Sequence, residues 1–377
     1  MGREEDRAAG FTILTLTDAA GKDSQRPPTS DMMGISGGDR GGKDMKSFKI
    51  GIESASLKPL GLSPFEVLDW AIINDIDGVQ FSETDPGPGQ SLDRALLNEL
   101  SAYAGENRLF LEWGGGEHVP LDPATGKPKD IFAINKKAAE QARALGVATV
   151  RSSSGGLMRW NAKSMSPEEI LCLTAKGLNE QKKMLRDLGV ILALETRFEF
   201  TTFELLRLFD MCSVKPGECF GICLDTMNLL TMLEDPVAAT ERVLPWVVTT
   251  HIKDGALLIT DEGFVTFPTE AGTGIVDLAA VFERLSTLKT PVNLCLEDHG
   301  GDFPVPIFNP AFLARFPDLT AAELAALVKL SQKSQDLLDE GRIAVLDRER
   351  WPEQCERRVK RGLRAVRRIV EEGRRGG

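Results

Sequence analysis

Histidine is scarce in this chain. Only His118, His251 and His299 occur in 377 residues, too few for a cluster of several histidine-bound metal ions. Six cysteines are present, none in a CxxC pair. Cys223 and Cys295 lie inside apolar runs, where a free thiol behaves as a small hydrophobe, so a reducing, cytoplasmic setting is expected. No run of eighteen apolar residues exists, and no membrane span is expected. Positive charge is also short: the net charge is −11. That excludes a general nucleic-acid binder, which needs a basic surface to release counterions. No Gly-rich dinucleotide loop follows the first strand-like run. A charged start, apolar core and small-residue cleavage site are missing from the N-terminus, so no signal peptide is expected.

What is present is an ordinary globular composition, 42% hydrophobic and 27% charged. Residues 1–44 differ from the rest. They are rich in Gly, Asp, Ser, Arg and Lys and read as a disordered N-terminal extension. The character changes at MKSFKIGIES, so the folded part is expected to begin at Met45. Residues 45–300 read as a barrel domain, and 301–377 as a C-terminal loop and helices packed on it.

From residue 48, strand-like and helix-like segments alternate. The strand-like runs are FKIGIES, GVQFSE, RLFLEW, ATVRSS, VILALE, GICLDT, VTTHIK and VNLCLE. Ser63-Pro64-Phe65-Glu66 and Ser166-Pro167-Glu168-Glu169 are capping boxes with Pro at the first helical position. Thr201-Thr202-Phe203-Glu204 opens another helix, and Gly146 and Gly189 are stop signals. Strict alternation implies parallel strands joined by crossovers. Eight repeats fit a closed (β/α)8 TIM barrel of the α/β class better than a doubly wound open sheet.

Four successive runs in the second half end abruptly in polar residues: Glu195, Asp225, His251 and Glu297. Carboxyl ends of buried parallel strands are where α/β proteins place active sites. Three carboxylates and one imidazole arriving from neighbouring strands suit a divalent metal. A single histidine at a strand end is ordinarily a structural residue. Three of three at strand ends, beside Glu117, Asp254 and Asp298, point to a shared polar mouth. Glu53, Glu83, Trp113, Glu117, His118 and Arg151 fall on the same rim by strand count. Arg151 and Lys253 are placed to hold a carboxylate or phosphate, or to form rim salt bridges. Gly272-Thr273-Gly274 reads as a plain turn before a helix, or as an anion cradle.

The strand ends LALET, CLDTMN, THIKDG and CLED, with EAGTGIVD after the seventh strand, resemble the sugar phosphate isomerase/epimerase superfamily, the xylose isomerase-like barrels. The resemblance spans about residues 48–300. It implies that Glu195, Asp225, His251 and Glu297 bind one divalent ion. One imidazole with three carboxylates favours Mn²⁺, with Mg²⁺, Co²⁺ or Zn²⁺ as alternatives. It further implies an isomerase or epimerase of a small carbohydrate, working through an enediolate, with Glu195 and Glu297 moving the proton. Glu53, Trp113, His118, Arg151, Asn228, Lys253 and His299 would then contact substrate. Many such epimerases carry His where this chain has Asn228. An amide cannot shuttle a proton, although it can orient a hydroxyl.

The stretch EDHGGDF places Asp298, His299 and Asp302 just beyond Glu297. It faintly resembles the branch acting on oxidised sugars, which keeps a second reading open: a metal-dependent lyase or decarboxylase of a 3-keto sugar acid, such as 3-oxo-isoapionate decarboxylase. A third reading is a non-catalytic binding barrel. No nucleic-acid or membrane partner is expected, and a homodimer is an open alternative to a monomer. Residues 300–320 carry Phe303, Phe308, Phe312 and Phe316 among prolines. They are expected to pack across or beside the pocket as a lid.

Overall fold

Eight parallel strands close into a barrel. The structure is a computed structural model and describes residues 47–82, 92–154, 156, 158–161 and 163–375. The expectations for residues 1–44 and for Glu83 lie outside them. The barrel strands are β1 (Ile50–Glu53), β2 (Gly78–Phe81), β3 (Phe110–Gly116), β4 (Thr149–Ser152), β5 (Ile191–Glu195), β6 (Phe220–Asp225), β7 (Val247–Ile252) and, after the insertion described below, β10 (Leu294–Leu296). Each pairs in parallel with its sequence neighbour, and β10 closes the ring by pairing with both β7 and β1.

The helices α1 (Pro64–Ile73), α2 (Arg94–Glu106), α3 (Ile131–Ala144), α4 (Pro167–Leu188), α5 (Thr202–Met211), α6 (Asn228–Thr231), α7 (Pro236–Val243) and α8 (Leu278–Ser286) fill the crossovers. Their ends follow the local chemistry. Ser63 and Glu66 form a reciprocal capping box at α1, as do Ser166 with Glu169 at α4 and Thr201 with Glu204 at α5. Gly189 ends α4 at φ +62, a left-handed conformation that glycine adopts without steric cost.

The alternation breaks after β7. Strands β8 (Asp254–Thr260) and β9 (Gly263–Thr269) form an antiparallel hairpin before α8, where strict alternation allowed only a helical crossover. The segment after β10 supplies β11 (Phe303–Val305), which adds to the hairpin edge through β9. A short helix α9 (Pro310–Leu313), then α10 (Ala321–Asp339) and α11 (Trp351–Arg375), complete the chain. Residues 300–320 are therefore partly ordered into a small sheet instead of forming a structureless lid. Phe303, Phe312 and Phe316 are buried as expected, but Phe308 is 59% exposed.

Helix α11 packs back over the end of β10. Arg358 donates from Nε and Nη2 to the two carboxylate oxygens of Asp298, each at 2.9 Å, and both side chains are buried. Its basic face pairs with acidic residues of the same chain: Arg361 with Glu270 at 2.6 Å and Arg367 with Asp75 at 3.2 Å. No helix among the described residues is long and apolar enough to cross a membrane.

Candidate metal centre

Side chains along a strand alternate between faces. Ala193 and Glu195, Cys223 and Asp225, Thr249 and His251, and Cys295 and Glu297 are pairs two residues apart. In register, Glu195 pairs with Cys223, Asp225 with His251, and His251 with Cys295. The small member of each pair fills the barrel interior, and the polar member stands at the carboxyl end beside its neighbours. One ligand atom from each of Glu195, Asp225, His251 and Glu297 lies within 4.8 Å of the other three. That spacing suits donors arranged around one ion at about 2.0–2.6 Å.

The donor chemistry fits such an ion. Asp225 Oδ2, His251 Nδ1 and Glu297 Oε2 are buried and lack a hydrogen-bond partner among the described residues. His251 Nδ1 approaches Glu297 Oε2 at 2.7 Å without the alignment of a hydrogen bond. Three ligand atoms thus point to a common place without hydrogen bonds of their own, as the donors of a metal site do.

Neighbouring groups fix each donor. Asp225 Oδ1 accepts from the backbone N–H of Met227 and Asn228, at 3.1 and 3.0 Å, which turns Oδ2 inward. Lys253 Nζ lies 3.0 Å from Asp225 Oδ2 and 3.2 Å from Glu297 Oε1. Arg151 Nη1 donates to Glu195 Oε2 at 2.6 Å. Burial works to raise the Glu195 pKa, but the Arg151 guanidinium and His251 outweigh it and hold the carboxyl below its usual range. Burial pushes Asp225 up to about 6 against the pull of Lys253. Arg151 and Lys253 are thus committed to the carboxylates of the cluster itself.

His251 is set from behind by a residue that the sequence pattern did not single out. Gln80, fully buried on β2, gives its Nε2 hydrogens to Glu112 Oε2 at 2.6 Å and Thr249 Oγ1 at 3.0 Å. Its Oε1 therefore faces His251 Nε2. The imidazole therefore donates from Nε2, and a ring bound to a metal would turn its Nδ1 lone pair toward the cluster.

A cavity of about 340 Å³ opens from the cluster. Five residues anticipated from the sequence line it: Glu195, Asn228, Lys253, Glu297 and His299. His299 donates from Nδ1 to the Gly300 carbonyl at 2.9 Å, and burial lowers its pKa to about 4, so the ring is neutral and Nε2 can accept. Phe303 lines the same wall, as the lid expectation required.

Glu53, Trp113, His118 and Arg151 do not line that cavity. Glu53 is 1% exposed at the end of β1, and its Oε2 accepts from Ala55 N at 2.9 Å. Burial, then Glu297, raises its pKa. Trp113 is buried with its ring centroid 6.3 Å from that of Phe81. His118 is fully buried, bonds Ser152 Oγ through Nδ1 at 2.8 Å, and is driven neutral by burial, to about 3. Glu117 forms an ion pair with Lys129. The Gly272–Gly274 turn does cradle an anion, but an internal one: the backbone N–H groups of Gly272 and Gly274 donate to Asp254 Oδ2 at 2.9 and 2.8 Å. Asp298, pinned to Arg358, faces away from the cluster.

Four cavity residues went unassigned in the sequence: Arg197, Phe198, Arg348 and Trp351. The first two directly follow the β5 ligand and were within reach of strand-end reasoning. The other two, Arg348 just before α11 and Trp351 at its start, lie some fifty residues beyond the last barrel strand and carried no local signal.

The barrel agrees with what comparison with known proteins shows. Residues 69–329 match the family described as xylose isomerase-like TIM barrel. The chain belongs to this family. A solved L-ribulose 3-epimerase has a TM-score of 0.52 at 17% identity, covering 86% of this chain and 97% of that one. A D-psicose 3-epimerase with D-tagatose, from Clostridium cellulolyticum H10, gives 0.51 at 15% identity, over 76% of this chain and 99% of the other. The probable 3-DHS dehydratase AsbF of Bacillus anthracis gives 0.50 at 14%, over 74% and 98%. At these identities the likeness shows the fold alone. No curated protein matches the chain.

Proposed function

We propose that this protein is a divalent-metal-dependent isomerase or epimerase of a sugar. The observation that carries the reading is the convergence of Glu195, Asp225, His251 and Glu297 on one point at the inner end of a sugar-sized cavity. These four residues would hold the ion, and one imidazole with three carboxylates suits Mn²⁺ first, then Mg²⁺, Co²⁺ or Zn²⁺. When bound, such an ion supplies a Lewis acid that polarises a carbonyl and acidifies the adjacent C–H.

The chain's own groups supply the rest. Epimerisation removes a proton from one face of a carbon and returns one to the other. Glu195 and Glu297 reach the cavity from strands separated by β6 and β7, so they can serve opposite faces. Arg151 behind Glu195 and Lys253 beside Glu297 keep both carboxylates ionised, the form a base must have. Asn228 and the free Nε2 of His299 can orient hydroxyls. The aromatic wall of Phe198 and Phe303 limits water at the reacting carbon.

Metal content of the purified protein and exchange of ketose C–H with solvent deuterium test this reading. Wild type should retain about one divalent ion per chain, and Glu195→Gln and Asp225→Asn should lower metal retention and abolish exchange. No ion uptake, with both variants behaving as wild type, would refute it.

A second reading is favoured by the cations of the cavity that the cluster does not engage, Arg197 and Arg348: a lyase or decarboxylase of a 3-keto sugar acid. The same proton-moving groups would serve, with a carbon–carbon or carbon–oxygen bond breaking next to the carbonyl. Release of CO₂ or an unsaturated product from keto sugar acids would select it. Deuterium exchange on a ketose without carbon loss would select the first.

A further inference from the structure

The outer wall of the cavity is built differently from its metal end. Arg197 and Arg348 each lie against a phenylalanine. The guanidinium carbon of Arg197 is 5.9 Å from the ring centroid of Phe198, and that of Arg348 is 5.3 Å from Phe303. The two rings are themselves in contact, with centroids 4.9 Å apart. Two arginines thus flank one aromatic pair, and all four residues line the cavity. Packing on an aromatic face holds a guanidinium in place while leaving its N–H donors free.

Burial works to lower the Arg197 pKa, but Glu195 and Glu199 act on it through space and raise it, without pairing with it. Arg197 hydrogen-bonds the hydroxyl of Ser153, and among the described residues neither it nor Arg348 forms an ion pair with a carboxylate. By contrast, Arg151 and Lys253 are paired within the cluster. Of the charged residues lining the cavity, three are cations (Arg197, Lys253 and Arg348) and two are carboxylates (Glu195 and Glu297). A divalent ion would add to that positive excess. A neutral sugar gives Arg197 and Arg348 no charge to meet.

Arg348 is held in position by backbone. Gly301 N donates to the Leu346 carbonyl at 2.7 Å. Gly301 sits at φ +103, and a Cβ there would come within 2.5 Å of Arg348 Nε. The loop leaving the Glu297 strand is therefore shaped around the arginine side chain, and a side chain at this position would displace it.

We propose that the substrate is an anionic sugar, whose carboxylate or phosphate is gripped between Arg197 and Arg348 while its hydroxyl and carbonyl oxygens face the strand-end cluster. This rests on the metal-dependent reading above and names the substrate class of that site. Carboxylate and phosphate both match a guanidinium fork.

Isothermal titration of the full-length, Mn²⁺-loaded protein tests the proposal. The probes are the four 2-ketohexoses, each beside its 6-carboxylate and its 6-phosphate. An anionic member should bind at least about ten-fold more tightly than its neutral parent, the scale of one charge-assisted contact. Whether that member is the carboxylate or the phosphate identifies the source of the charge. In Arg348→Gln and in Arg197→Gln the advantage should shrink by about ten-fold. Gly301→Ala should shrink it too, by moving Arg348 without removing a charge. Circular dichroism and Mn²⁺ uptake report whether each variant is folded. The proposal is overturned if no anionic member outbinds its neutral parent, or if the advantage survives in all three variants. Failure of the metal-dependent reading would show separately, as absence of Mn²⁺ uptake by the wild type.

Discussion

Gln80 offers a sharp test of how the strand-end cluster is built. Its amide is locked by its donors: both Nε2 hydrogens are spent, on Glu112 and on Thr249. A carboxylate can only accept, so the amide cannot flip without setting oxygen against oxygen. Gln80 Oε1 is thereby the acceptor for His251 Nε2–H, and Nδ1 is left to face Glu297 and Glu195, where an ion would take its lone pair. Gln80→Met keeps most of the volume and removes that acceptor. Loss of a partner behind a ligating histidine costs about 10–100-fold in metal affinity, or about 1.4–2.7 kcal/mol. Leaving a buried N–H unpaired adds a stability cost of roughly 1–3 kcal/mol. Gln80→Glu separates the two effects. It retains an acceptor for His251 and should keep metal affinity closer to wild type, while setting a second carboxyl against Glu112 and lowering stability. Mn²⁺ titration calorimetry at fixed pH gives the first quantity and urea unfolding the second. If Gln80→Met binds Mn²⁺ within about two-fold of wild type, the imidazole is not oriented by this relay and the reasoning fails.

Removing one partner of the buried Asp298–Arg358 pair strands a charge, so Asp298→Ala should cost about 3–5 kcal/mol in urea unfolding, whereas joint replacement by Leu and Met should cost much less; equal losses would refute the pair's role. Burial pushes the Glu199 carboxyl from its ordinary 4.5 up to about 7, against the pull of Arg197. The folded state then holds a proton that the unfolded chain releases, so this group's contribution falls as pH rises from about 4.5 to about 7. Glu199→Gln should accordingly be more stable than wild type at pH 8, by up to roughly 3 kcal/mol, and little different at pH 4; a pH-independent difference in thermal unfolding would contradict this. Phe308 is 59% exposed while Phe303 is 8% exposed and lines the cavity. Phe308→Ala should leave stability within about 0.5 kcal/mol and turnover unchanged, and Phe303→Ala should cost about 3–5 kcal/mol and turnover as well; equal effects on activity would make the segment plain packing.

The barrel was legible because parallel strands buried on both faces leave long apolar runs that stop at the functional edge. That edge is where VILALE, GICLDT, VTTHIK and VNLCLE turn polar, and the fold brings those four polar ends to one point. The hairpin was missed because strict alternation was carried past the seventh strand. GALLIT and GFVTFPT, separated only by Asp261-Glu262, are two β-rich runs in their own right. Gln80 had a faint signal, a lone amide in an otherwise apolar run, but its partners sit on β3 and β7 and only the closed barrel brings them together. Arg151 and Lys253 were recognised as cations at the mouth. Which anions they would meet depended on strand register, which sequence does not encode locally.

The cavity joins two structures with different origins in the chain. Its inner end comes from the carboxyl edges of β5, β6, β7 and β10, a rigid ring where a shift in one strand disturbs its neighbours. Its outer wall comes from the loop after β5, from β11, and from the approach to α11. These are tied down just beyond Glu297: Asp298 anchors Arg358, and Gly301 holds the backbone at Leu346. The same few residues that end the last barrel strand therefore place the distal wall. Substitutions at Arg348 or Gly301 should change which molecule is accepted while leaving the four strand-end donors in place. Substitutions at Asp298 should release α11 and Arg348 together, so that loss of substrate discrimination and loss of stability rise in step. That correlation, measured across a graded series such as Asp298→Asn, Asp298→Ser and Asp298→Ala, distinguishes an anchored wall from one that merely happens to lie beside the barrel.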